Sequence, residues 1–331
     1  MSRNTCRMSA LPGLALILAF SLTYSTRGPL GSAGHLPKIC YLFSYFTGNG
    51  EDGLHLLWSK DSLHWETLGA GKSFLRPEVG ESKLMRDPCI LQGSDGTFHM
   101  VWTTAWAGKT IGYASSRDLV QWSEQKAIPV MGHEPDAQNC WAPEVIFDDK
   151  AGHFLILWST TILGRFPETA LSGSRPDRNH RIYSTTTRDF ASFSPTRLHY
   201  DAGFNVIDAT LVREGKAWLM FLKNETEKPK AEKNIRLVRA AAPSGPFSDV
   251  SAPITGSYWA EGPTAIKVGD YWQVYFDKYR ERRYGMVRSR DLENWEDWSD
   301  KVSLPDGVRH GTVFAVPAKI VEKLLEVEQR G

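Results

Sequence analysis

Four acidic residues stand where strands should begin, and their spacing is the part of this chain that could do chemistry. Asp87 leads DPCILQGSDGTFHMVWT, Glu144 leads EVIFDDKAGHFLILWST, Asp208 leads DATLVREGKAWLMFLK and Glu261 leads EGPTAIKVGDYWQVYFDK, at intervals of 57, 64 and 53 residues. Such intervals suit one propeller blade plus variable loops and are too long for a solenoid turn. Carboxylates at equivalent points of a radial repeat converge on one axis. A pair facing each other across a narrow depression could cleave a glycosidic bond with inversion, one carboxylic acid protonating the leaving oxygen and one carboxylate activating water, at about 6.5–9.5 Å. Glu261 follows Tyr258 and Trp259 and precedes Gly262 and Pro263. It is therefore expected low in an aromatic-lined cup, where desolvation and the nearby charge of Asp208 would hold its proton on. Asp87 precedes Pro88, which biases it toward an extended conformation. Arg86 could help keep it ionised, although successive strand side chains point apart.

These carboxylates need strands to position them, and strand signals are dense from Ile39 onward. Runs such as CYLFSYF, LHLLWS, FHMVWTT, HFLILWS, AWLMFL and YWQVYF are rich in aromatic and β-branched residues, while the turns SDG, REG and VGD join pairs of runs. A second signature closes each unit: Asp61, Asp118, Asp189 and Asp291 each precede an aromatic residue by four, at Trp65, Trp122, Phe193 and Trp295. An Asp there can accept the backbone N–H groups of its own turn, and PSGPFSD takes that place in the remaining unit. Four carboxylate-led units cover residues 86–303; three strands before them (Cys40 to Phe46, Leu54 to Ser59, His64 to Leu68) and one after (Gly311 to Pro317) complete a fifth. The expected fold is all-β, a five-bladed β-propeller whose fifth blade is closed by N-terminal strands plus the C-terminal strand.

Composition narrows the field further. With 39 Lys and Arg against 38 Asp and Glu, the chain has no basic field for nucleic acid. Twelve Trp, 11 Tyr and 15 Phe suit strand packing and also the apolar faces of sugar rings. Cys6 falls in the leader and leaves Cys40, Cys89 and Cys140, without the spacing of a disulfide scaffold or a zinc site. Arg3 and Arg7 followed by the apolar run Leu14 to Leu22 read as a secretory signal segment, or else as a disordered leader; nine apolar residues are too few to span a bilayer. Residues 1–37 are thus expected to be leader, 38–320 one catalytic domain and 321–331 a tail. A signal would place the protein outside the cytoplasm, secreted or periplasmic; without one it is cytoplasmic. No membrane span and no oligomerisation are indicated.

The order RDP, WAPE, IDA, EGP and, near the carboxyl end, RHG resembles glycoside hydrolase family 43 from about Tyr41 to Val316. The resemblance implies a five-bladed propeller, an inverting mechanism, and roles for Asp87 as general base, Asp208 as the group that orients the acid and tunes its pKa, and Glu261 as general acid. It also implies an oligo- or polysaccharide substrate: α-L-arabinofuranosides first, β-galactosides or galactans and β-xylosides next. Glu144 matches a family site where a carboxylate is usual but is not one of the catalytic three; it either supports the site or contacts the sugar, or is structural. His310 matches a histidine near the axis, close to an ion or water. It is either a core residue or the neighbour of a structural calcium or sodium; no cofactor is required for the reaction.

Beyond the three carboxylates, Trp141 is a candidate sugar platform or a core residue. Trp106, the loop Gly48 to Gly53, the segment His133 to Asn139, the insertion Gly164 to Asn179 and Arg283 are candidates for the rim. Asn224 and Glu225, one strand length beyond Asp208, are candidate ligands for sugar hydroxyls. Two other functions fit a propeller: a non-catalytic carbohydrate binder, which has no reason to keep buried acids, and a glycan phosphorylase, which needs a cationic cluster such as Arg86, Arg282, Arg283 and Arg309 could imitate.

Overall fold

The computed structural model describes residues 36–170 and 178–330, besides Met1. The expected leader lies outside the described residues up to His35, as does the part of the 164–179 insertion that spans 171–177. Nineteen strands among the described residues form five antiparallel sheets. The first holds β1 (Ile39–Phe46), β2 (His55–Ser59) and β3 (Glu66–Thr67). The second is β4 (Arg86–Gln92), β5 (Phe98–Thr103), β6 (Ile111–Ser116) and β7 (Lys126–Ile128). The third is β8 (Trp141–Asp148), β9 (His153–Thr160), β10 (Arg181–Thr187) and β11 (Arg197–Tyr200), and the fourth β12 (Val206–Glu214), β13 (Ala217–Asn224) and β14 (Asn234–Ala240). The fifth is β15 (Glu261–Val268), β16 (Tyr271–Lys278), β17 (Arg283–Ser289) and β18 (Glu296–Asp297).

The last strand, β19 (Arg309–Pro317), returns to β1 and makes the first sheet the order β19-β1-β2-β3, with Cys40 opposite Val316 and Phe43 opposite Val313. Each sheet's innermost strand touches the next around a closed ring, β4 to β8, β12, β15, β19 and back to β4. This is the five-bladed propeller, closed by both ends of the chain. Five buried clusters fill the blade-to-blade interfaces, for example Leu42 and Trp58 against Met100 and Trp102, and Phe43 and Leu57 against Tyr275 and Met286. Cys40, Cys89 and Cys140 are buried free thiols.

The outer turns form as the aspartates suggested. Asp61 accepts from the Leu63 and His64 N–H groups, Asp118 from Val120 and Gln121, Asp189 from Ala191 and Ser192, and Asp291 from Glu293 and Asn294. The residue after each Asp takes positive φ (Ser62, Leu119, Phe190, Leu292), a strained choice that the paired bonds stabilise. In the fourth blade a single bridge from Ala240 to Phe247 replaces the outer strand.

Residues from the end of β19 onward form a helix, α1 (Ala318–Arg330), which contains the start of the expected tail. Its spacing is helical, with Val321 and Leu324 buried against the interface of the first and second blades. Among the described residues no helix is long and apolar enough to cross a membrane.

Candidate active site

The inner strands share a local irregularity that sets the geometry of the axis. Each pairing slips near its start, between Arg86 and Cys89, Trp141 and Glu144, Ile207 and Thr210, and Glu261 and Thr264. The first residue inside each slip has positive φ: Asp87 at 51°, Ala142 at 45°, Asp208 at 54° and Gly262 at 57°. A bulge of this kind turns the backbone and re-aims side chains. Arg86 and Asp87, although neighbours on a strand, therefore both line the axial cavity. The bulge also changes the repeat as the sequence suggests it. Asp87, Ala142, Asp208 and Gly262 are equivalent, so Glu261 stands one place earlier and Glu144 two places later than an in-register carboxylate.

The cavity holds about 270 Å³ and is lined by Asp87, Asp208, Glu261 and His310, with Trp106, Trp141 and Glu225 among its walls. Asp87 accepts from the Thr103 hydroxyl at 2.8 Å and faces His310 Nδ1 at 3.3 Å. Burial alone would raise its pKa, but the His310 bond, the charges of His310 and Arg86, and the Thr103 bond together bring it down to about 2. Burial would likewise lower His310, and the Asp87 bond with the charges of Asp208, Asp87 and Glu261 instead raises it to about 9. The pair is an imidazolium beside a carboxylate at neutral pH.

Asp208 is pushed the other way. Burial, reinforced by the charges of Glu261 and Asp87, raises it to about 6 against the pull of His310 and Lys223. Its Oδ2 accepts the Gly262 N–H at 2.9 Å, which ties the third carboxylate to the backbone next to Glu261. A Cβ on Gly262 would stand 2.4 Å from His310 Cγ, so the imidazole packs directly on that glycine.

The surroundings of Glu261 differ from the aromatic cup expected. Lys223 Nζ holds its Oε2 at 3.0 Å and Arg309 Nη2 its Oε1 at 3.3 Å. Each cation has another carboxylate: Lys223 reaches Glu225 at 2.6 Å, and Arg309 Nε donates to Asp277 at 2.7 Å. Lys233 extends the network, bridging Glu225 at 2.6 Å and Glu227 at 3.1 Å. Lys223 escaped notice because a lysine ending an apolar strand normally points to water; here it pairs in register with Ile207, beside Asp208, and is almost wholly buried. Tyr279 and Trp259 do line the wall, each under a lysine ammonium, Lys223 and Lys233 respectively.

The remaining candidates separate. Trp106 is half exposed at the rim, edge-on to Trp141, whose Nε1 donates to the Trp106 carbonyl at 2.9 Å. Glu144 lies behind the wall, accepting from Thr210 at 2.5 Å, and burial lifts it to about 7. Asn224 turns its oxygen to the Thr226 N–H at 3.0 Å and is not part of the lining. Arg283 is outside the cavity, paired with Glu281 and Asp300 on the flank of the fifth blade.

His310 turns its Nδ1 to Asp87 at 3.3 Å, which leaves Nε2 as the ring atom that could face an ion or water. Among the described residues no group of three or more His, Cys, Asp or Glu side chains converges as a ligand set. No step below is routed through an ion.

Residues 37–322 match the family described as "Probable glycosyl hydrolase domain", related to glycoside hydrolase family 43. An alpha-L-arabinofuranosidase of Bifidobacterium longum subsp. longum is 23% identical over 249 residues, covering 63% of this chain and 23% of that protein. The chain thus spans about a quarter of the length of that curated relative. The crystal structure of an alpha-L-arabinofuranosidase from Lactobacillus brevis superposes with a TM-score of 0.50 at 17% identity, covering 64% of this chain and 72% of that one. The GH43_1 enzyme from Xanthomonas citri complexed with xylotriose gives a TM-score of 0.52 at 12% identity, over 67% and 75% of the two chains. At these identities the likeness of the solved structures concerns the fold. The match over nearly all of the propeller rests on sequence, and by it this chain belongs to the glycosyl hydrolase family related to family 43.

Proposed function

We propose that the protein is an inverting glycoside hydrolase that removes a terminal sugar from plant-type polysaccharide side chains or ends, with Asp87 as general base, Glu261 as general acid and Asp208 orienting that acid through the Gly262 backbone. The observation that carries this reading is the meeting of three carboxylates from three different blades in one small axial cavity, with Asp87 and Asp208 shifted in opposite directions. Asp87, held ionised by His310 and Arg86, suits a water-activating base. Glu261 accepts from two cations that each have a second carboxylate, so each keeps a partner when a Glu261 oxygen turns to the leaving group.

The cavity of about 270 Å³ is small beside pockets that hold drug-sized ligands, roughly 300–1,000 Å³, and favours one ring at a chain end over a long groove. Among sugars, α-L-arabinofuranosides are the first candidate, supported by the curated relative, with β-galactosides and β-xylosides next. The test is a panel of aryl α-L-arabinofuranoside, β-D-xyloside and β-D-galactoside, with proton NMR of the first-formed anomer. Inversion is expected. Retention removes Asp87 from the role of water base, product formation only with inorganic phosphate makes the protein a phosphorylase, and polysaccharide binding without turnover makes it a binding module.

A further inference from the structure

Two cations of the cavity wall, Arg86 and the more exposed Arg178, have no carboxylate within salt-bridge distance among the described residues, and of the two only Arg86 is buried. Lys223, Lys233, Arg309 and His310 each have a carboxylate within 3.3 Å. Arg86 is only 8% exposed. Its guanidinium lies between two aromatic rings, 4.7 Å from the centre of Phe46 and 4.2 Å from that of Trp106. One nitrogen, Nη1, donates to the Asn49 side-chain and backbone oxygens at 3.1 and 3.3 Å. The same Asn49 Oδ1 accepts from Trp106 Nε1 at 2.8 Å, so a loop residue fixes both the guanidinium and the indole that covers it. The nearest site carboxylate in the chain, Asp87, already faces the charged His310.

We propose that Arg86 receives a carboxylate of the substrate, so that the glycan taken by this cavity is acidic: a uronic acid stands either at the terminal position or next to the bond that is cut. This inference rests on the hydrolase reading and narrows its substrate class. A buried guanidinium is costly unless a charge meets it. Its remaining N–H groups form the edge that matches a carboxylate with two parallel bonds, and the rings on its faces leave that edge as the way in. Sugar hydroxyls could accept the same bonds but would leave the charge unmet.

The test is direct binding, followed by tryptophan fluorescence and calorimetry at pH 7, of D-glucuronate and D-galacturonate against D-glucose and D-galactose. Two further ligands are an aldobiouronic acid with a neutral terminal sugar and its carboxyl-reduced counterpart. A charge-assisted pair predicts roughly ten- to a hundredfold tighter binding of the acidic member of a pair. Preference among the free monosaccharides places the carboxylate on the terminal sugar; preference only in the disaccharide pair places it on the neighbour. In Arg86→Gln the ratio of acidic to neutral binding falls to about one, whatever loss both ligands share from the changed surroundings of Asp87, and Arg86→Lys restores part of it. If Arg86→Gln does not fold, weakening of the wild-type preference between 0.05 and about 0.5 M salt is the substitute readout.

Equal binding of acidic and neutral sugars by the wild type overturns the proposal, as does a preference that survives Arg86→Gln. Competition by inorganic phosphate stronger than by either uronate also overturns it. Hydrolysis of neutral glycosides without any uronate preference sinks this inference and leaves the hydrolase reading standing; uronate preference without hydrolysis of any glycoside does the reverse.

Discussion

Replacing Glu261 with glutamine separates the acid's chemistry from its structural role, because the structure provides for both. Glu261→Gln keeps the side-chain shape and removes the proton donor. Lys223 retains Glu225 at 2.6 Å and Arg309 retains Asp277 at 2.7 Å, so neither buried cation is left without a carboxylate. The amide oxygen can accept from one of them, while the amide nitrogen faces the other, a mismatch worth about 1–3 kcal/mol. The variant is therefore expected to fold, with a melting temperature lower by a few degrees. Loss of a positioned acid removes about two to four orders of magnitude from the rate, or roughly 3–5 kcal/mol of transition-state stabilisation. That loss applies where the departing oxygen needs a proton. The assay is kcat/KM on a natural disaccharide and on a dinitrophenyl glycoside of the same sugar, with thermal unfolding alongside. The disaccharide should lose the full factor and the dinitrophenyl glycoside about tenfold or less, since that leaving group departs as an anion. Equal losses on both substrates in a folded variant would refute the assignment of Glu261 as the acid.

Asp208→Asn should gain stability at high pH. Asp208 rises from 3.8 to about 6 in the folded protein, so ionising it costs stability as pH rises through that window, on the order of 2–3 kcal/mol by pH 8; urea unfolding should show the variant more stable at pH 8, equal at pH 3.5, and impaired in turnover at both. His310 has the same sign in a higher pH window. His310 rises from 6.5 to about 9, so its contribution is complete below pH 6.5 and fades as pH climbs through 9. His310→Gln should flatten the wild type's loss of stability between pH 7 and 10, and an unchanged slope would mean that His310 is not the titrating group. Gly262→Ala puts a Cβ 2.4 Å from His310 Cγ at a position with φ of 57°; it should lower the melting temperature and, by displacing the imidazole, raise the pH at which the acidic limb of kcat/KM falls.

The propeller was legible because strand periodicity, short turns and the Asp-to-aromatic spacing all repeat, and each has a local cause. Asp61 and Asp291 form their turns with neighbours two and three residues away, which sequence displays directly. The catalytic candidates were legible for the same reason, each lying beside the first pairing of an inner strand. The register of that pairing was not. A bulge inserts a residue without a compositional mark, so Ala142 in the position equivalent to Asp87 could not be read from WAPE, nor could the displacement of Glu144 behind the wall. Lys223 was hidden by the ordinary expectation for a lysine at a strand end. Arg283 looked as suitable as Arg309, and only the three-dimensional arrangement sends one to Asp300 and the other to Glu261.

The bulge also explains how one ring of strands can shift two carboxyl groups in opposite directions. An innermost strand is paired on one side only, so some of its backbone N–H groups are free to leave the sheet. Here the bulged residues direct theirs to the neighbouring blade: Ala142 to Thr103 Oγ1 at 2.8 Å, Asp208 to Ser159 Oγ at 3.2 Å, and Gly262 to Asp208 Oδ2 at 2.9 Å. Thr103, which receives one of these bonds, donates its own hydroxyl to Asp87. Asp87 thereby gains a donor and an imidazolium, which favour its charge, whereas Asp208 gains a single amide in a more enclosed place, where burial dominates. The difference between a base that stays ionised and a neighbour pushed up to about 6 is thus set by blade-to-blade bonds. The inner strands carry those bonds, and a loop adds only the Asn49 contact that holds Arg86 near Asp87.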